Sequence, residues 1–84
     1  MRLDQLRLLF EAGDLQTALI LPAMLESAAA PRWELHVKRR NGALVPLCLN
    51  RKRNGAEQTR IFNTLDAAFS AAREIGFLEA RVRA

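Results

Sequence analysis

Lys38-Arg39-Arg40-Asn41-Gly42 and Arg51-Lys52-Arg53-Asn54-Gly55 are two similar clusters, each three consecutive cations followed by Asn-Gly. Their chemistry is the neutralisation of anions. Arginine dominates over lysine and presents a planar fork that matches phosphate in a bidentate way. Asn-Gly is a strong two-residue hairpin signal because both positions tolerate positive φ, so each cluster is expected beside a tight turn. Asn41 and Asn54 could reach a base edge, but turn formation is their commoner use. A continuous basic stripe needs Arg32, Arg51 or Arg60 to fill the gap between the clusters. The candidate nucleic-acid-binding set is therefore Lys38, Arg39, Arg40, Arg51, Lys52, Arg53 and Arg60.

The charge along the chain agrees with that focus. Residues 1–30 carry two basic and four acidic side chains, residues 31–60 eight and two, and residues 61–84 three of each, so the net +4 comes from the middle third. Such asymmetry points to an anionic partner, most often nucleic acid. The alternative is that basic strand ends keep a sheet soluble and blunt its edges.

Other chemistry finds little to work with. One His and one Cys cannot complete a four-ligand zinc site. The chain has neither a GxGxxG motif nor a phosphate loop, and no cofactor or metal is expected. His36 and Cys48 would form a nucleophile pair only if the fold joined them, and a lone Cys is usually a small core or edge residue. Asp4, Glu11, Asp14 and Glu26 are spaced like a solvated helix face and loop. The expectation is a non-enzymatic protein. Trp33 could stack on a base, although its alternation with Leu35 and Val37 favours a core position.

The elements that must position these residues follow from periodicity. Leu3, Leu6, Leu9 and Phe10 recur at helical spacing, widened by Leu8, which predicts a helix over about 3–12 with Gly13 as its left-handed cap. Leu15–Pro22 reads as a strand ended by Pro22. Met24–Ala30 reads as a helical turn or a long connection. Arg32–Lys38 alternates strictly, with Trp33, Leu35 and Val37 on one face. Val45, Leu47 and Leu49 alternate on a returning strand, and Thr59–Phe62 returns once more. Asn63 or Thr64 caps a second helix whose stripe is Leu65, Ala68, Phe69, Ala72 and Ile75, stopped by Gly76. Phe77–Val82 is a candidate terminal strand. The fold class is α+β: one domain over residues 1–84, an N-terminal helix, a three-stranded antiparallel meander, a second helix and a short C-terminal strand. Successive turns of a meander lie at opposite ends of a sheet, so the basic clusters are expected as two patches about a strand length apart.

Size bounds the rest. A chain of 84 residues and 9.4 kDa has a thin core and gains from dimerisation. The longest apolar stretch, Ala18–Leu25, is too short to span a bilayer, and Met1-Arg2-Leu3-Asp4 does not open like a signal peptide. A cytoplasmic location is expected, since a single Cys forms no internal disulfide.

Leu3-Asp4-Gln5-Leu6-Arg7-Leu8-Leu9-Phe10-Glu11-Ala12-Gly13-Asp14-Leu15, Trp33-Glu34-Leu35, Arg60-Ile61-Phe62-Asn63-Thr64-Leu65-Asp66-Ala67-Ala68 and Ala72-Arg73-Glu74-Ile75-Gly76-Phe77 together resemble small plasmid-encoded ParC-like, partition-associated proteins. The resemblance covers most of the chain in order. It implies a role in plasmid partition or maintenance and brings no catalytic motif. The chain departs from the family at Met24–Ala30, where a shorter hairpin is usual, and at Asn50–Gln58, which is longer and more basic. The order helix, three strands, helix is also similar to the double-stranded RNA-binding fold. That family's lysine-rich start of the second helix is absent, since Thr64-Leu65-Asp66-Ala67 is acidic.

Two functional readings result. The first is a plasmid-maintenance accessory that binds DNA weakly through its basic hairpins, with a log–log salt slope of about −4 to −5 for five phosphate contacts. The second is an interaction or dimerisation module that pairs through an exposed strand edge. The candidate partners are DNA, plasmid partition proteins and a second copy of the chain, with no membrane.

Overall fold

The computed structural model describes residues 1–23 and 31–83; the Met24–Ala30 segment read above as a helical turn or long connection lies outside the described residues. The chain runs α1 (Leu3–Glu11), β1 (Leu15–Pro22), β2 (Trp33–Arg39), β3 (Leu44–Pro46), β4 (Cys48–Arg53), β5 (Ala56–Thr59), β6 (Ile61–Phe62), α2 (Leu65–Ile75) and β7 (Arg81–Val82). This is an α+β fold. The main sheet has the order β3-β2-β1-β7, with β6 beside the same edge of β2 as β3, while β4 and β5 form a separate two-stranded ribbon.

The core follows from strand alternation. Ala18 and Ile20 of β1 pair with Val37 and Leu35 of β2, and all four are buried on the side that the helices cover. Leu15 from β1, Leu6 from α1, Ala68, Ala71, Ala72 and Ile75 from α2, Phe62 from β6, and Leu47 and Phe77 from the connections complete the cluster. The small alanines let α2 lie close to the sheet. Trp33 packs half-buried at the margin of this core, beside Phe62 in the β2–β6 register. Leu8 and Leu65, read as members of buried stripes, are exposed instead; each falls on the edge of its helical stripe, and Ala71 takes the inner place.

Caps set the helix ends. Thr64 accepts a hydrogen bond from the Ala67 amide at 3.1 Å, and Asp66 sits in the first turn of α2. Gly76 ends the helix at φ +137°, and a Cβ there would fall 2.5 Å from the Phe10 ring. Phe10 in turn meets Phe77 edge-to-face at 5.0 Å between ring centroids. The terminal strand is shorter than Phe77–Val82: β7 holds only Arg81 and Val82, which pair parallel with Leu19 and Ile20.

The two Asn-Gly turns differ. Asn54 (φ +52°) and Gly55 (φ +78°) both take positive φ, as a tight two-residue hairpin requires. At the first turn only Gly42 does (φ +91°). There the Gly42 amide donates to Arg39 O, and Asn41 Oδ1 accepts from the Ala43 amide, which makes a longer loop closed by glycine. The expectation of a two-residue turn at Asn41-Gly42 is therefore corrected.

The third rank of the sheet is split. β3 pairs with β2 as far as His36–Pro46, and the Leu47 amide still donates to Leu35 O at 2.8 Å. The chain then leaves the sheet, makes the β4–β5 ribbon, and returns at β6 opposite Trp33 and Glu34. The Arg60 amide donates to Leu47 O at 2.9 Å and closes the ribbon's base. Pro46, which offers no N–H to a ladder, stands where the first segment ends. Leu49 is thus not a third inward residue of one strand: it lies on the ribbon and is exposed.

Candidate nucleic-acid interface

The fold sorts the seven sequence-derived cations into three groups. Arg39 and Arg40 lie at the β2–β3 turn, against the corner between α1 and β1. The Arg39 guanidinium donates through Nε and Nη2 to Asp14 Oδ2, with the Nε bond at 2.9 Å. Arg40 donates its backbone N–H to Asp14 O and its Nε to Gly13 O at 2.6 Å. Both arginines are engaged in fastening that corner, and Arg39 has a carboxylate partner of its own.

Lys38 stands elsewhere. Strand alternation puts it, with Glu34 and His36, on the face of β2 opposite the core, across from Thr17. His36 Nε2 lies 2.8 Å from Glu34 Oε1 on that same face.

The third group is the ribbon. From Leu49 to Glu57 every residue is exposed, including Arg51, Lys52 and Arg53. The register pairs Cys48 with Thr59, Lys52 with Glu57 and Arg53 with Ala56, with an irregularity between Cys48 and Lys52. Arg60, half-buried at the ribbon's base, sets its guanidinium 4.8 Å from the Phe62 ring centroid. Arg51 and Arg60 share an open groove of about 450 Å³ with Leu3, Cys48, Leu49 and Asn50.

The base of the ribbon is held by the start of the chain. The Cys48 amide donates to Met1 O at 2.7 Å. The Met1 ammonium lies 3.1 Å from Pro46 O, 3.1 Å from Glu57 Oε2 and 3.4 Å from Cys48 Sγ. The hydrogen bond from that ammonium and its positive charge hold the Glu57 carboxyl below its ordinary value. Glu57 is the acidic residue opposite Lys52, yet its carboxylate is already engaged with Met1.

Cys48 and His36 do not meet. The Cys48 sulfur sits among Met1 N and Pro46 O, while His36 faces Glu34 on the open side of the sheet. Among the described residues no group of three His, Cys, Asp or Glu is placed to hold a metal ion. No helix among them is long and apolar enough to cross a membrane.

Residue spacing left the ribbon's two faces unassigned. Once Lys52 and Glu57 are paired, alternation puts Arg53, Ala56 and Gln58 on the other face, while Arg51 falls in the irregular stretch between Cys48 and Lys52 and lines the groove that holds Cys48. Gln58 was absent from the sequence-derived set because it carries no charge. The signal that could have found it is its place on the returning strand of a basic hairpin. No protein-family model, curated protein or solved structure matches the chain.

Proposed function

We propose that this protein is a small non-enzymatic DNA-binding module, acting in plasmid maintenance as the ParC-like resemblance implies, and that the β4–β5 ribbon is its phosphate-contacting element. One observation carries the reading: Arg51, Lys52 and Arg53 are consecutive, exposed and project from the sheet, while the acidic residue opposite them is bound to the Met1 ammonium. Arg39, by contrast, is engaged by Asp14, which shifts the weight of the interface from the first cluster to the second. Contacts of this kind position a protein on a duplex and are salt-dependent.

The test is fluorescence anisotropy on a random-sequence duplex of about 25 base pairs across a salt series, with the ribbon expected to supply up to about 3 of the log–log slope. Replacing Arg51, Lys52 and Arg53 together by alanine should weaken binding and flatten the slope by that amount. An unchanged slope removes the ribbon from the interface.

A second reading, a module that pairs through a strand edge, has its own support. On the side of β1 away from β2, β7 covers only Leu19 and Ile20, and among the described residues no strand pairs with Leu15–Ala18 there. A groove of about 430 Å³ lined by Leu15, Thr17, Phe77 and exposed Leu78 runs beside that edge. Sedimentation over a range of concentrations tests self-pairing; a monomer throughout rules out a second copy as the partner.

A further inference from the structure

We propose that the ribbon enters the major groove of B-form DNA, with Arg53 and Gln58 on the face that meets the base edges and Arg51 and Lys52 left for the phosphates. The inference rests on the DNA-binding reading above and assigns it a groove and a reading face.

Cys48, Lys52, Glu57 and Thr59 share one face by register, and Glu57 and Cys48 turn it toward Met1. The opposite face carries Arg53, Ala56 and Gln58 and no carboxylate. Its functional groups are the ones the major groove recognises. Arginine pairs with guanine O6 and N7, and glutamine pairs with adenine N6 and N7. Ala56, opposite Arg53, is small enough to let the backbone approach and can touch a thymine methyl.

The dimensions agree. Two strands about 4.8 Å apart, with side chains, suit a groove about 12 Å wide and not one about 6 Å wide. The two rises from Arg51 to Arg53 extend about 7 Å, comparable with a groove depth of about 8.5 Å. The tip is slim, since a Cβ built on Gly55 would meet nothing within 4 Å. The major groove of double-stranded RNA is too narrow to admit such a ribbon, which selects DNA.

The decisive experiment uses the whole protein and three forms of one duplex containing A·T tracts. One is unmodified, one carries glucosylated 5-hydroxymethylcytosine, which fills the major groove, and one is saturated with netropsin, which fills the minor groove. Wild type should bind the glucosylated duplex about tenfold or more weakly, as expected if one or more base contacts are lost, and should be indifferent to netropsin. In selection from a random duplex library, Gln58→Ala should keep the wild-type salt slope and lose preference at an adenine position, while Arg53→Ala should weaken binding about tenfold and lose preference at a guanine position. Circular dichroism on each variant confirms that it is folded. Equal affinity for the glucosylated duplex, or displacement by netropsin, overturns the major-groove placement and leaves DNA binding standing. No binding to any duplex at low salt overturns the DNA reading and this inference with it.

Discussion

Leu35 and Arg53 both lie on antiparallel strands, but they sit in opposite physical worlds. Leu35 has no exposed surface, and its strand is paired on both sides and covered by two helices. Arg53 is on a ribbon of two strands, and the residues from Leu49 to Glu57 are exposed. An isolated two-stranded hairpin is marginal in water. This one is held by its base, through the Met1, Leu47, Cys48 and Arg60 contacts, and by a turn with both central residues at positive φ. The difference teaches where selection acts. In the body, burial dictates residue type. In the ribbon it dictates almost nothing, so the three consecutive cations there are not set by packing.

The largest expected effect lies in the body. Leu35→Ala removes a wholly buried side chain between the sheet and the helices and should cost about 3 kcal/mol. For a domain this small that is a large share of total stability, so much of the variant should be unfolded at ambient temperature. Chemical denaturation checks it; a loss under about 1 kcal/mol means the core repacks around the gap.

Gly76→Ala comes next. It adds a Cβ at φ +137° and 2.5 Å from the Phe10 ring, so backbone strain and overpacking act together, at about 2 kcal/mol. The ring of Phe10 must move and its edge contact with Phe77 must open. Gly55→Ala is a useful partner measurement: it shares the positive φ but meets no neighbour, so only the strain should remain, at about 1 kcal/mol. Equal losses in thermal melts would show that the Phe10 contact adds nothing.

These contrasts also explain what was legible in the sequence. The body was readable because burial writes itself as periodicity: Leu15–Pro22 and the Trp33-Leu35-Val37 alternation placed two strands, and Gly76 placed the end of α2. The ribbon was misread because Val45, Leu47 and Leu49 keep the same alternation through the point where the chain leaves the sheet. Pro46 was the available sign of the break. Both basic clusters stood out by charge, yet charge alone could not show that Asp14, 25 residues before Arg39, engages one of them. Nor could it show which ribbon side chains share a face, because that depends on the register and on the irregularity between Cys48 and Lys52.

The sharpest version of the comparison separates stability from binding. Replacing Arg51, Lys52 and Arg53 by alanine should change stability by no more than about 0.5 kcal/mol, since exposed side chains are lost from a region that buries nothing. The same variant is the one expected to lose the salt-dependent binding. A melting temperature that falls as far as that of Gly76→Ala would mean the arginines are structural, and the ribbon would no longer differ in kind from the body.

The smallest effect joins the two regions. Glu57 reaches from the ribbon to the Met1 ammonium, and that contact holds its carboxyl below the ordinary value of 4.5. A carboxyl lowered in the folded state contributes stability fully above its unfolded value. That contribution is lost as pH falls from there through the lower folded value. Melting temperatures of wild type and Glu57→Gln should therefore differ slightly at neutral pH, with wild type higher, and converge in acid. The exposed position of Glu57 keeps the difference small. Exchange of the Cys48 amide, bonded to Met1 O, gives a local readout: it should quicken in the variant at neutral pH and match wild type in acid. Curves that stay parallel from neutral pH into acid would mean that Glu57 does not fasten the ribbon, and the Pro46 and Cys48 contacts to Met1 would have to hold its base alone.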